Sequence, residues 1–564
     1  MPGPASRKCN QNRLTACPDC VQAKIRLLEP GDTLQLLPGQ YLKPITALGL
    51  RGAKGMNITI RGTTKPDRWW EKRKFQREAD PRTDAVITSG IDAETFRPVA
   101  NRAAARKQQA GGFPGLYYLA DEACLFLRDC QHVVIENLFF QDCWPTALYL
   151  DNCQDITIQA CQFRRGTYAI GATGHDTRQI TVADCRWQQY PENNGGHWKA
   201  IPWHRIHGDI GNADDTQDKG IVNVEKDYRH LDGDFFVAWR IAGFVTLRRN
   251  LIEDAFNAIH LFNYEKGPRD ELNRNVLIEK NRFERIRDNA VEPEFGAWNW
   301  VVRHNILMDV YRWFSFEMER SGWFYIYGNI AWNTQVPGPG ESPPKNIEKD
   351  TRTGGSIFKL HPNHTADGPS YFFHNSFHLR ERIVKRKRFA GLHFFNNAIT
   401  YSGKTAGSGG PYETLFAKNF HALTTQFSPQ DPQVDILAAE RNRFTKDWTR
   451  LNIALHDNVI HGPDRFDTLR SLGYPFGANS QEGSPGFRGP FSPSSVSERS
   501  FHLTSGQKPG KAYNTSTPFT LTADGPQEIS EGGGRHIGAY QANGKLFELS
   551  EEFGWLETAD AGIV

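Results

Sequence analysis

Apolar and polar residues alternate in short phrases through the middle of the chain, each phrase running into an asparagine or a cysteine. The phrases are VVIENLF (133–139), ITIQACQF (156–163), ITVADCRW (180–187), FVTLRRNLI (244–252), NVLIEKNRF (275–283), WVVRHNIL (300–307), FYIYGNIA (324–331), YFFHNSF (371–377) and HFFNNAI (393–399). A period of two carried by Val, Ile, Phe, Tyr and Trp predicts strands. The polar slot is filled by Asn137, Cys161, Cys185, Asn250, Asn281, Asn305, Asn329, Asn375 and Asn397, at spacings of 24, 24, 65, 31, 24, 24, 46 and 22 residues. A unit near 24 with insertions at three joints is a coil length. One coil cannot bury its own inner face, but stacked coils make a continuous core. Asn tolerates left-handed corners and can bond to its copy one coil away. Leucine-rich repeats would need a dense Leu consensus and propellers a longer repeat of four strands, so the pattern predicts an all-β, single-stranded parallel β-helix with loop insertions.

Coils are expected over 28–400, after an N-terminal cap or arm at 1–27. Insertions are expected at 64–122 (charged, with a helical excursion), 188–234 (rich in His, Asp and Gly) and 333–354 (a Pro/Gly loop). Residues 401–564 are expected to be irregular and to pack on or end the solenoid.

Strands preceding the Asn phrases align as ALYLD (147–151), AIGAT (169–173), FVAWR (236–240), AIHLF (258–262), AVEPE (290–294), FSFEME (314–319) and FKLHP (358–362). Alternate residues then face outward. One outward column reads Tyr149, Gly171, Ala238, His260, Glu292 and Lys359; the other reads Asp151, Thr173, Arg240, Phe262, Glu294 and His361; Glu317 and Glu319 project from the coil between. Strands stack about 4.8 Å apart, so His260, Glu292, Glu294, Glu317 and Arg240 are expected in one patch. Crowded carboxylates need a raised pKa, a bound cation or flanking bases. Glu292, Glu294, Glu317 and His260 are thus the candidate catalytic groups. Arg240, Lys226, Glu319, Lys359, His361 and Trp298 are the candidate substrate contacts. No cofactor is required, and Glu292 and Glu294 are the ligands if Ca2+ is bound. The insertion at 188–234 adds His197, His204, His207, Tyr228, Arg229 and His230 as further candidate bases, or as a loop whose polar groups satisfy one another.

Composition narrows the partners. With 67 basic and 64 acidic residues the net charge is +3, without the basic excess of a nucleic-acid binder. Fourteen Trp suit sugar stacking as well as core filling. No run of 18 apolar residues marks a membrane helix. The opening MPGPASRKCNQNRL lacks an export signal's apolar stretch; a secreted or periplasmic protein with its signal removed is the favoured expectation, a cytoplasmic one the other. Cys17 and Cys20 form a CxxC with Cys9 upstream and no second pair at zinc spacing, which leaves a local disulfide or free thiols. Cys130, Cys153, Cys161 and Cys185 read as small core residues. Oligomeric state is not fixed by these features.

The repeat, the opening GDTLQLLPGQYLKPITALGL (31–50) with NITIRG (57–62), and the phrase HIGAYQ (536–541) resemble the pectate-lyase-like superfamily of right-handed parallel β-helix proteins. The resemblance implies a right-handed solenoid over about 28–400 and a polysaccharide partner. DNAVEPEFGAWN (288–299) is similar to an acidic phrase of bacterial β-helix proteins. Chondroitinase-B-like lyases pair such acids for calcium and use a Lys and an Arg. Here no Lys follows, so Lys226, Arg240 or Lys359 would have to substitute. Polygalacturonases instead hydrolyse with an acid cluster on successive coils. Three functions follow: a glycoside hydrolase using Glu292, Glu294 and Glu317, which the carboxylates favour; a lyase or epimerase on a uronate polymer; and a non-catalytic glycan-binding protein.

Overall fold

In the computed structural model of the chain the alternating phrases form strands that pair in parallel from coil to coil. The structure describes residues 13–63, 77–113, 115–193, 201–207, 222–263, 272–333, 356–360, 370–379, 392–401, 454–461, 480–491, 497–503, 519–521, 529–531, 539–540 and 545–548. Two compact units result: residues 1–191, 222–251 and 558–564, and residues 192–221 and 252–557. Among the described residues no helix is long and apolar enough to cross a membrane.

In the first unit a full coil supplies three strands. Thr146–Asp151 pairs with Tyr168–Thr173, Gln154–Gln159 with Arg178–Ala183, and Gln162–Arg164 with Arg186–Gln188. Leu148, Leu150, Ile156, Ile158, Ile170, Ile180, Val182 and Trp187 are wholly buried, as the period of two requires. Like residues stack: the rings of Phe140 and Phe163 lie 4.8 Å apart and 7° from parallel, matching the inter-strand distance. The corner before each slot residue is left-handed, at Asn137 (φ 56°), Ala160 (51°), Asp184 (57°) and Arg249 (52°). The slot of the first of these coils is therefore Leu138, whose carbonyl accepts the Gln162 N–H at 2.9 Å as that of Cys161 accepts the Arg186 N–H at 3.0 Å. Asn137 belongs one position earlier than the sequence alignment puts it, at a corner that Asn favours.

The helix Ala93–Gln109 is started by Asp92, whose side chain accepts the Thr95 N–H. It holds the stretch 222–231 in place. Asn101 donates to the carbonyls of Val224 (2.8 Å) and Asp227 (2.7 Å) and accepts the Arg229 N–H, and Arg97 lies 3.9 Å over the Tyr228 ring. Burial, and secondarily Arg97, lowers the His230 pKa to about 3. The folded chain therefore holds His230 neutral, whereas the unfolded chain protonates it near 6.5. Between those values the unfolded state binds more protons, so stability falls as the pH drops from about 6.5 towards 3, by up to about 1.4 kcal/mol per pH unit. His230→Gln is expected to flatten that part of the profile of denaturation midpoint against pH; an unchanged slope would contradict the assignment.

In the second unit the slot is a ladder of Asn281, Asn305, Asn329, Asn375, Asn397 and Asn458, all buried. From Asn305 onward each Oδ1 accepts both the main-chain and the side-chain N–H of the preceding rung; Asn329 Oδ1 takes both from Asn305 at 3.0 Å, and Asn375 Oδ1 both from Asn329 at 3.0 Å. Two strands here run unbroken through a corner, Asn289–Arg303 and Arg312–Tyr327, with a register shift between Phe295 and Gly296. From the phrase HIGAYQ (536–541) the Ala539 N–H bonds the Ser376 hydroxyl, and beyond that phrase Phe547 stacks on the His374 ring at 3.8 Å.

Candidate functional site

Outward positions of the second unit's strands make the site. In Ile259–Phe262, Ile259 and Leu261 face the core, leaving His260 and Phe262 on the outer side. His260 pairs with Glu292 and Phe262 with Glu294. On the next strand Glu294 is in register with Glu317, and Ser315 pairs with Lys359 of Ser356–Leu360. The four described side chains converge. His260 Nδ1 lies 3.7 Å from Glu292 Oε2, and His260 Nε2 lies 3.7 Å from Glu294 Oε1. Lys359 Nζ lies 3.5 Å from Glu292 Oε1. The side chains of Glu292 and His260 are only 4% and 5% exposed, those of Glu294 and Lys359 18% and 19%. One edge of the cluster is therefore reachable and the other is held inside. The Phe262 ring lies 3.6 Å from the imidazole, centre to centre.

Two residues that sequence reasoning passed over hold Glu292. Asn289 Nδ2 donates to its Oε1 at 2.6 Å, and the Ser315 hydroxyl donates to the same oxygen at 2.9 Å. Asn289 is itself tied down, its N–H bonding Asn257 Oδ1 at 2.9 Å. The signal for Ser315 was present: in FSFEME it stands two before Glu317, as Glu292 stands two before Glu294.

Other candidates lie elsewhere. In the first unit Gly171 pairs with Val237 and Thr173 with Trp239, so Trp239 takes the position expected of Arg240, and Val237 that of Ala238. The sequence register is off by one because the pairing brings Phe236, not Val237, opposite Ile170. Arg240 follows the strand at an exposed left-handed corner (φ 52°). Lys226 is exposed in the stretch held by the helix Ala93–Gln109, in the first unit. Trp298 is half-buried in the second unit, its ring 5.5 Å from that of Trp323. Glu319 lies on the strand opposite the register shift. The side chains of Glu317, Glu319 and His204, and residues His197 and His361, lie outside the described residues.

One donor atom each of His260, Glu292 and Glu294 lies within 4.8 Å of the others. Calcium takes about six to eight oxygens. Among the described residues this group offers one ring nitrogen and two carboxylates, and one carboxylate oxygen already accepts two hydrogen bonds beside an ammonium. The donor set among the described residues falls short of what Ca2+ takes, and no chemistry is derived through it.

Residues 123–334 match the family model described as "Right handed beta helix region". Curated proteins give no match. Among solved structures, the chain is similar to a mannuronic acid specific polysaccharide family 6 lyase from human gut microbiota (12% identity, 82% of this chain and 98% of that one, TM-score 0.33). It is similar also to pectate lyase Pel9A (10%, 70% and 77%, 0.33) and to the tailspike protein of E. coli bacteriophage HK620 in complex with pentasaccharide (10%, 68% and 57%, 0.38). The family match over residues 123–334, with the coil-on-coil register, shows a right-handed parallel β-helix fold, as the repeat predicts.

Proposed function

We propose that this protein cleaves a polysaccharide, and that it does so by β-elimination on a uronate-containing polymer. The observation that carries the reading is the His260 ring lying between the two carboxylates, one nitrogen facing each. An inverting hydrolase using Glu292 and Glu294 as its pair would need about 6.5–9.5 Å between them, more than the 4.8 Å that bounds their ligand atoms, and in a retaining one, at about 5–5.5 Å, the imidazole would stand between nucleophile and acid. Lys359 supplies the lysine missing after DNAVEPEFGAWN, from a later strand.

The roles follow from burial and charge. Glu292, fixed by Asn289 and Ser315, faces Nδ1 of His260 and favours the proton there. Nε2, itself buried beside the more exposed Glu294, takes the C5 proton of a uronate that enters at that edge. The Lys359 ammonium neutralises the uronate carboxylate, which makes C5–H more acidic. The C5–H electron pair forms the C4=C5 bond, the C4–O bond breaks, and the departing oxygen takes a proton from water. The mannuronic-acid-specific and pectate lyases of similar fold agree with this substrate class. A hydrolase built on Glu294 and Glu317, paired on adjacent strands, is the second reading.

Cleavage in water enriched in heavy oxygen separates them. Elimination is expected to leave both product ends free of label; label in every new reducing end would favour the hydrolase. A chelator is expected to leave the rate unchanged, and loss of activity restored by calcium would overturn the metal-free roles given to His260 and Lys359.

A further inference from the structure

The polysaccharide chemistry does not use the CxxC pair. Cys17 and Cys20 sit in the first unit, between the strand Arg13–Ala16 and the short helix Val21–Ile25. Their sulfurs are 2.9 Å apart, and the Cys17 N–H points at Cys20 Sγ at 3.0 Å. That separation is less than 1 Å above the roughly 2.05 Å of a bonded pair. The turn between them is held from outside. The Cys20 N–H bonds the Cys17 carbonyl at 3.1 Å, and the Tyr41 hydroxyl donates to the Ala16 and Leu37 carbonyls at 2.9 Å. Pro18 packs so closely on Gly39 (φ 149°) that a Cβ there would meet it at 3.0 Å. The six other described cysteines differ in kind: Cys124, Cys130, Cys143, Cys153, Cys161 and Cys185 are buried, whereas Cys17 and Cys20 are half-buried and reachable.

We propose that Cys17 and Cys20 are a thiol–disulfide exchange site, a dithiol that a small disulfide such as oxidised glutathione converts to an intramolecular disulfide while the buried cysteines stay reduced. The hydrogen bond with the Cys20 side chain lowers the Cys17 pKa, which makes Cys17 the attacking sulfur. Its thiolate attacks one glutathione sulfur, the glutathione disulfide bond breaks, and one glutathione leaves as a thiol. Cys20 then attacks the Cys17 sulfur and expels the second glutathione. The two cysteines lose two electrons, glutathione disulfide gains them, and the two thiol protons end on the two glutathiones. The new bond ties the end of Arg13–Ala16 to the start of the helix.

The test is peptide mapping of the full-length protein after exposure to oxidised glutathione, rapid alkylation, unfolding and tryptic digestion. Cleavage after Arg13 and Lys24 isolates Cys17 and Cys20 on one peptide, LTACPDCVQAK, apart from Cys9. That peptide is expected to be lighter by two hydrogens and unalkylated. Cys20→Ser is expected to leave a persistent glutathione adduct on Cys17. Alkylation of both cysteines in the wild type, a stable glutathione adduct on the wild-type pair, or a bond from either to Cys9 would overturn the proposal.

Discussion

Replacing His260 by Gln is expected to slow cleavage of a uronate polymer by about 10²–10⁴-fold, the usual contribution of a positioned general base. Stability should change little by comparison. Gln has similar length and keeps a polar group between the carboxylates, whereas the proton acceptor is gone. Lys359→Met should lower the rate as well, and by more on a polymer whose carboxylates are free than on its methyl ester, because the ammonium acts on the uronate charge. Steady-state rates of both variants, with melting temperatures beside them, check the assignment. A His260→Gln variant cleaving at the wild-type rate would remove the base from the mechanism.

Replacing Asn329 by Leu is expected to cost several kcal/mol of stability, although the shape is similar and Asn329 takes no part in the proposed chemistry. Asn329 accepts from the Asn305 N–H and Nδ2 and donates to the Val302 carbonyl and to Asn375 Oδ1. Leucine removes the bonds of the Asn305 N–H and the Val302 carbonyl and one of the two at Asn375 Oδ1, and each buried group left unsatisfied costs about 1–3 kcal/mol. Such a loss is comparable with the roughly 5–15 kcal/mol that holds a typical domain folded. Urea denaturation should show a markedly lower midpoint. In the first unit the slot is held differently: the Cys161 and Cys185 sulfurs approach the carbonyls of Ile135 and Ile158 at 3.8 and 3.7 Å, where Asn250 Nδ2 bonds the Val182 carbonyl at 2.9 Å. A midpoint for Asn329→Leu equal to wild type would mean that the ladder specifies register without stabilising it.

The solenoid was legible because burial acts on alternate residues, and a repeated coil writes that alternation down many times. The polar slot was legible for the same reason, except at VVIENLF, where the Asn serves the left-handed corner and Leu138 fills the slot. Strand alternation placed His260, Glu292 and Glu294 in one patch and Lys359 in the outward column of Glu292, but also put Arg240 in that patch. What failed was register across an insertion: FVAWR comes after a long interruption, and a slip of one residue put Arg240 where Trp239 belongs. Strand alternation says which face a residue takes but not which rotamer a carboxylate adopts. The clamp of Asn289 and Ser315 on Glu292, and the imidazole lying between the acids, therefore needed coordinates. Those two features move the preferred chemistry from hydrolysis to elimination.

The most direct measurement is to incubate the purified protein with neutral and uronate polysaccharides while following reducing ends and the ultraviolet absorbance of unsaturated uronates together. The site described here predicts that both rise in parallel on a uronate polymer, and that neither rises with His260→Gln. Reducing ends without absorbance would contradict elimination and return Glu294 and Glu317 to the centre of a hydrolase, and silence in both on every polymer would contradict cleavage altogether.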